Sequence, residues 1–269
     1  MITGIKPRQS KVLKKLRAGE VVSCTKLNTA DSRIFEIAAM SGFDCLWTDM
    51  EHMANDWSVV ERQILASKAY GCDILVRVAR GGYSDYTRAL ELDASGIMVP
   101  HIMNAADAEK IVRMTRFHPI GRRPLDGGCA DGAYCNIDVG EYIKGSNTEK
   151  FIIVQIEDPE PLQEIEKIAS IEGLDMLFFG AADFSQGIGD PGNFENPKLL
   201  EALRIVAEAA LKAGKYAGTV GSPESLGKLI EMGYHFISMG ADVVALSEYY
   251  PGLLKNYELY KGVGNECSE

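Results

Sequence analysis

Short apolar runs alternate with longer amphipathic segments along nearly the whole chain, and they do so eight times. The runs are Val21–Cys24, Cys45–Thr48, Ile74–Val78, Gly96–Val99, Phe151–Ile156, Met176–Phe179, Tyr216–Thr219 and Phe236–Met239. They are apolar at consecutive positions, as strands covered on both faces of a parallel sheet must be. Between them the 3.6-residue pattern predicts helices over Ser32–Met40, Trp57–Tyr70, Tyr83–Leu92, Ala105–Thr115, Pro161–Ala169, Pro197–Ala213 and Pro223–Met232, with a terminal helix from about Val243. Asp31 or Ser32, Asp56 and Ser222 stand at cap positions, Pro197 and Pro223 just inside, and Gly42, Gly71, Gly173, Gly214 and Gly233 where helices should stop. Eight strand–helix units in 269 residues predict a single (β/α)8 TIM barrel over 1–269, a fold that typically takes roughly 250 residues. An open doubly wound sheet shares the alternation, and the count of eight favours closure. The two intervals too long for one unit are 117–150, rich in Gly and polar residues, and 180–196, which directly follows a strand.

Charge narrows the function classes. Twenty-eight basic against 38 acidic side chains leave a formal charge of −10, which argues against nucleic acid or an anionic membrane as a partner. No apolar run reaches the roughly 18 residues of a membrane span. The basic start, Met1 to Leu16, has no apolar core of a secretory signal. Cys24, Cys45, Cys72, Cys129, Cys135 and Cys267 show no metal-type pairing, and reduced thiols in a cytoplasmic protein are expected.

In a barrel the residues just beyond the carboxyl ends of the strands carry the chemistry. Here the second strand runs into Asp49-Met50-Glu51-His52, the third ends Val76-Arg77-Val78, the fifth Gln155-Ile156-Glu157-Asp158, and the sixth Gly180-Ala181-Ala182-Asp183-Phe184-Ser185. Glu157 and Asp183, from neighbouring strands, suit a hard divalent cation, against the alternative of capping the next helices. Arg77 lies in an apolar strand and needs an anionic partner. Glu51 or Glu157 could serve structurally, or a substrate's carboxylate or developing oxyanion could serve chemically. Asp49 and His52 are three apart, and a carboxylate on one imidazole nitrogen would make the other a general base. His101, after Val99-Pro100, is a reserve candidate or a wall residue. Small residues at Gly180-Ala181-Ala182 could cradle a carboxylate on backbone amides.

Taken together, Gly42-Phe43-Asp44 through Asp49-x-Glu51-His52, Val76-Arg77-Val78, Gln155-Ile156-Glu157 and Gly180-x-x-Asp183-Phe184-Ser185 resemble the HpcH/HpaI aldolase family. The resemblance runs from about Thr25 to Gly252. It implies a class II pyruvate aldolase on a (β/α)8 barrel, cleaving a 4-hydroxy-2-oxo acid to pyruvate and an aldehyde through a metal-stabilised pyruvate enolate. It also implies that Glu157 and Asp183 ligate a divalent metal (Mg²⁺, Mn²⁺ or Co²⁺) and that Arg77 steadies the enolate oxygen. His52, oriented by Asp49, would act as acid–base. Gln155 would line the site, and the Ala181 and Ala182 amides would hold the substrate carboxylate. Met50, Ala181 and Phe184 stand where members commonly have Gly, Pro and Leu, so the walls nearest the substrate differ.

Two rival readings remain in the sequence. Gly218-Thr219-Val220-Gly221-Ser222 and Met239-Gly240-Ala241-Asp242 follow the last two strands, where many barrels bind phosphate, but this leaves Glu157, Asp183 and Arg77 without a role. A non-catalytic 2-oxo-acid-binding relative would need no Asp49–His52 base. The terminal helix carries Val244, Leu246, Tyr249, Tyr250, Leu253 and Leu254, more apolar surface than an outermost helix should expose. It either closes the barrel as the eighth helix or, as the resemblance implies, packs on a neighbour in a homo-oligomer, a hexamer built of dimers.

Overall fold

The structure, a computed structural model, describes residues 4–261. Its eight strands close into one parallel barrel in sequence order. They are β1 (Val22–Leu27), β2 (Cys45–Asp49), β3 (Asp73–Arg77), β4 (Gly96–Val99), β5 (Phe151–Ile156), β6 (Met176–Phe179), β7 (Tyr216–Gly221) and β8 (Tyr234–Ala241). Closure follows from β1 pairing with both β2 and β8.

The period of two along each strand separates the apolar side chains into two bodies. Outward residues such as Leu46, Ile74, Val76, Ile97, Val154 and Leu177 pack under the helices in the larger cluster. Inward residues, among them Cys24, Cys45, Trp47, Leu75, Met98, Ile153, Met176, Phe178 and Phe236, fill the barrel itself. Both bodies are shut off from solvent, with Leu46 and Ile74 under the helices and Leu75, Met98 and Phe236 in the lumen fully buried. Continuing the same inward parity toward the carboxyl ends gives Lys26, Asp49, Arg77 and Gln155, so the apolar lumen is topped by a charged layer.

The amino end of the lumen is stoppered by a helix the apolar pattern did not reveal, α1 (Lys11–Arg17). Its Val12, Leu13 and Leu16 join the lumen cluster. Ser10 caps it and donates its hydroxyl to Asp73 at 2.6 Å, and the Val12 N–H donates to the same carboxylate at 3.0 Å.

The outer helices are α2 (Ser32–Met40), α3 (Trp57–Ala69), α4 (Tyr83–Glu91), α5 (Ala105–Thr115), α6 (Val139–Glu149), α7 (Ile165–Ala169), α8 (Ala181–Gly187), α9 (Pro197–Lys212), α10 (Leu226–Met232) and α11 (Asp242–Lys261). Asp31, Asp56, Asn104, Asp138 and Asn196 accept first-turn amides as caps. The long interval before β5 holds a 3-10 turn at Ala130–Gly132 and then α6. It is pinned by buried Arg123, which donates to Asp131 at 2.7 Å. Arg116, buried beneath α6, donates to the carbonyls of Gly173 at 2.8 Å and Lys150 at 2.8 Å and to the Asp175 carboxylate. α11 departs from the barrel, and every residue from 247 to 260 is exposed, including Tyr249, Tyr250, Leu253, Leu254, Tyr257, Leu259 and Tyr260. Cys267 lies outside the described residues. Among those residues no helix is long and apolar enough to cross a membrane.

Candidate active site

The register of β1 to β3 decides what meets at the top of the lumen. Lys26 lies beside Trp47, and Asp49 beside Arg77. The Asp49 carboxylate, fully buried, accepts from Arg77 Nε at 2.9 Å and from Arg77 Nη2 at 2.5 Å. It also accepts the Glu51 N–H at 3.0 Å and pairs with Lys26 Nζ at 2.8 Å. Burial pushes the Asp49 carboxyl up, but Arg77 and then Lys26 outweigh it and hold it well below the usual carboxylate range. Arg77 turns its remaining nitrogen, Nη1, toward Glu51 Oε2 at 3.0 Å.

This arrangement corrects the expected Asp49–His52 pair. Both Asp49 oxygens are engaged by Arg77, Lys26 and a backbone amide, which leaves none for the imidazole. The His52 side chain is 53% exposed at the mouth, and its contact is Glu51, with Nε2 at 3.6 Å from Oε2. A short sequence separation could not show this, because the competing cations come from β1 and β3.

On the opposite wall Glu157 is 1% exposed. Its Oε1 accepts the His101 N–H at 2.8 Å, and its Oε2 accepts from Gln155 Nε2. Burial drives the Glu157 carboxyl up to about 7, and the His101 amide only partly offsets this. Asp183, in the first turn of α8, is half-buried and adds a negative field at Glu157. The Asp183 side chain has no hydrogen bond or ion pair among the described residues. The Ala181 and Ala182 amides open the same turn, where helix N–H groups lack an internal acceptor. Gly180 is required for this approach, since a Cβ there would lie 2.8 Å from the Glu157 side chain and 2.9 Å from Gln155 Nε2.

His101 enters the site in a way its sequence position did not announce. Its φ of +50° is uncommon for a residue with a Cβ, and the turn aims both the amide and the ring at the β5 carboxylates. Nδ1 lies 2.9 Å from Asp158 Oδ2, and Nε2 lies 3.7 Å from Glu51 Oε1. Burial lowers the His101 pKa, but Asp158 and Glu157 together with Glu51 outweigh it, and the net direction is up. Donor atoms of Glu51, His101 and Glu157 lie within 4.8 Å of one another.

The donor set fits a divalent cation. A buried carboxyl with a raised pKa, a second carboxylate without a partner, and the buried, unpaired Oε1 of Gln155 are groups that a hard cation and its ligands would satisfy. The loops after β7 and β8 suit phosphate less well. Asp242 there already accepts the Asn28 N–H at 2.8 Å and the Thr29 N–H at 2.9 Å, and its charge would repel an anion.

Comparison with known proteins shows the family. The sequence profile of the HpcH/HpaI aldolase/citrate lyase family matches residues 26–248. A hydroxypyruvate/pyruvate aldolase of Pseudomonas aeruginosa is 33% identical over 233 residues, covering 86% of this chain and 87% of that protein. A 4-hydroxy-2-oxo-heptane-1,7-dioate aldolase of Klebsiella pneumoniae is 31% identical, covering 86% of this chain and 88% of that one. The crystal structure of an HpcH/HpaI aldolase from Desulfitobacterium hafniense superimposes with a TM-score of 0.86 at 29% identity, covering 91% of this chain and 96% of that chain. The chain therefore belongs to the HpcH/HpaI aldolase/citrate lyase family.

Proposed function

We infer that the protein is a divalent-metal-dependent carbon–carbon lyase that cleaves a 4-hydroxy-2-oxo acid to pyruvate and an aldehyde. The observation that carries this reading is Arg77, a buried guanidinium fixed by Asp49 and Glu51 on the strand-end face that also holds Glu157 and Asp183. Family membership and the two aldolase relatives support it.

Glu157 and Asp183 would hold the metal (Mg²⁺, Mn²⁺ or Co²⁺), with Glu51 and His101 within reach of its remaining positions or their waters. When bound, the cation supplies Lewis-acid stabilisation of charge on the 2-oxo group, worth several kcal/mol. Arg77 places a fixed positive charge where the C2 oxygen becomes negative, and its orientation is set before substrate arrives. The Ala181 and Ala182 amides would receive the carboxylate, with Gln155 lining the wall. His52, at the mouth with Nε2 3.6 Å from Glu51 Oε2, would take the C4 hydroxyl proton as the carbon–carbon bond breaks. Asp49 serves this chemistry through Arg77.

The apolar face of α11 supports a homo-oligomer, with a hexamer built of dimers as the expected form, and the buried unpaired thiols support a cytoplasmic location. The non-catalytic reading no longer has an Asp49–His52 pair against it; the Arg77 arrangement beside the carboxylates is what favours catalysis. A panel of 4-hydroxy-2-oxo acids, assayed for pyruvate release with divalent metal and with EDTA, tests the proposal. No metal-dependent pyruvate from any of them would overturn it.

A further inference from the structure

Lys26 is the one residue of the charged top layer without a part in the scheme above. It is carried inward on β1 by the same parity as Cys24, and its side chain is 21% exposed. Nζ lies 2.8 Å from Asp49 Oδ2 and 5.2 Å from the centroid of the Trp47 ring. The Arg77 guanidinium lies 5.0 Å from the same ring. The two cations therefore share one carboxylate and one indole.

The charges along this row run Lys26 positive, Asp49 negative, Arg77 positive, Glu51 negative. Asp49 fixes the guanidinium but also cancels its field, and Glu51 cancels it again. A guanidinium held by two carboxylates would present net negative charge to an arriving anion. Lys26 returns the row to neutrality without displacing either carboxylate from Arg77. The Trp47 ring, whose face attracts cations, keeps Lys26 over the lumen rather than free in solvent.

We propose that Lys26 is a charge-balancing positioning residue, which lets Asp49 orient Arg77 without leaving net negative charge where the substrate anion binds. The assignment rests on the anion-binding role inferred for Arg77 and requires no proton or covalent transfer by Lys26.

The test uses the full chain loaded with Mn²⁺ and titrated calorimetrically with oxalate, a stable dianion shaped like the pyruvate enolate. Lys26→Gln keeps a donor to Asp49 and removes the charge, whereas Lys26→Arg keeps both. The Gln variant is expected to bind oxalate about tenfold more weakly, a factor within reach of one screened charge at this range. The Arg variant should stay within about threefold of the parent. Mn²⁺ affinity, followed by paramagnetic resonance, should be unchanged or stronger in Lys26→Gln, because removing a cation favours a cation. A generally damaged site would lose both ligands, and that result overturns the proposal. Oxalate affinity equal to the parent in Lys26→Gln does the same, as does failure of the parent to bind oxalate. If oxalate binding follows this pattern while no 4-hydroxy-2-oxo acid is cleaved, the lyase reading falls and the role of Lys26 stands.

Discussion

The backbone N–H of His101 donates to Oε1 of Glu157 at 2.8 Å, across the gap between the ends of β4 and β5. The donor sits at a φ of +50°, a conformation that costs a residue with a Cβ of the order of 1 kcal/mol. What the strain achieves is a fixed orientation for a carboxyl that burial still pushes up to about 7.

Metal dependence follows from that carboxylate and its neighbour. EDTA should abolish pyruvate release, and added Mg²⁺, Mn²⁺ or Co²⁺ should restore it. Glu157→Gln and Asp183→Asn should each weaken metal binding by at least about tenfold, since even a residue that only supports a ligand is typically worth about 10–100-fold, while circular dichroism stays unchanged. Full activity in the chelated protein would count decisively against the site.

The pH response has a definite sign. A carboxyl raised from its ordinary 4.5 to about 7 is protonated in the metal-free protein at lower pH. Metal affinity should therefore fall as pH drops below about 7, by up to tenfold per unit for a single proton. The same shift makes Glu157 favour the folded state below its unfolded pKa, and that contribution is lost as pH rises through about 7. Metal-free protein should accordingly lose thermal stability between about pH 5 and about pH 8, and Glu157→Gln should show less of this loss. A parallel pH profile in the two proteins would refute the assignment.

Arg77 and His52 should separate kinetically. Arg77→Ala is expected to lose both cleavage and deuterium exchange at the pyruvate methyl group, because both need the charge beside the C2 oxygen. His52→Ala should lose cleavage by about 10²–10⁴, the usual range for a general base, and spare more of the exchange. Asp49→Asn should resemble the Arg77 variant rather than the His52 one, since Asp49 holds the guanidinium. Wild-type cleavage by His52→Ala between about pH 6 and about pH 9, spanning the titration of an ordinary histidine, would place the base elsewhere. His101 is then the next residue to replace.

How much of this was legible in the sequence depends on the range of the forces involved. Strands filling the lumen are set by local apolar runs, and all eight lie within a few residues of their expected positions, with β8 longer at both ends. α1 and α6 were not expected. The first buries only Val12, Leu13 and Leu16, and the second is interrupted by Gly140 and Gly145 in a stretch of loop-like composition. α8 reads as loop for the same reason of shortness. The strand-end residues are visible as polar breaks in apolar runs, but their partners are not. Lys26, Asp49 and Arg77 meet only because three strands close side by side, and His101 is brought in by a left-handed turn.

The apolar length of α11 predicts association. Light scattering at micromolar concentration should give a mass well above the 29.4 kDa of one chain. Leu253→Glu or Tyr257→Glu, both on exposed positions, should lower that mass, since a charge at an apolar contact is strongly disfavoured. A monomer at that concentration would contradict the assembly.

Arg116 offers a test of the scaffold remote from the chemistry. It is buried and satisfies the carbonyls of Gly173 and Lys150 together with the Asp175 carboxylate. Arg116→Met should cost about 1–3 kcal/mol in urea unfolding, because it leaves buried carbonyls without their donor and the part-buried Asp175 carboxylate without its cation. Loss of less than about 1 kcal/mol would show that water replaces the guanidinium there.

The stoppered lumen has a kinetic corollary. Trp47, Leu75, Met98, Ile153 and Phe178 seal the floor beneath the charged layer, and α1 seals the far end. Traffic is confined to one doorway, so two products formed along its depth must queue. On the proposed roles, the fragment nearer His52 should depart first and the one against Arg77 last, and in the reverse direction the deeper fragment should bind before its partner, an order that product-inhibition kinetics would read out.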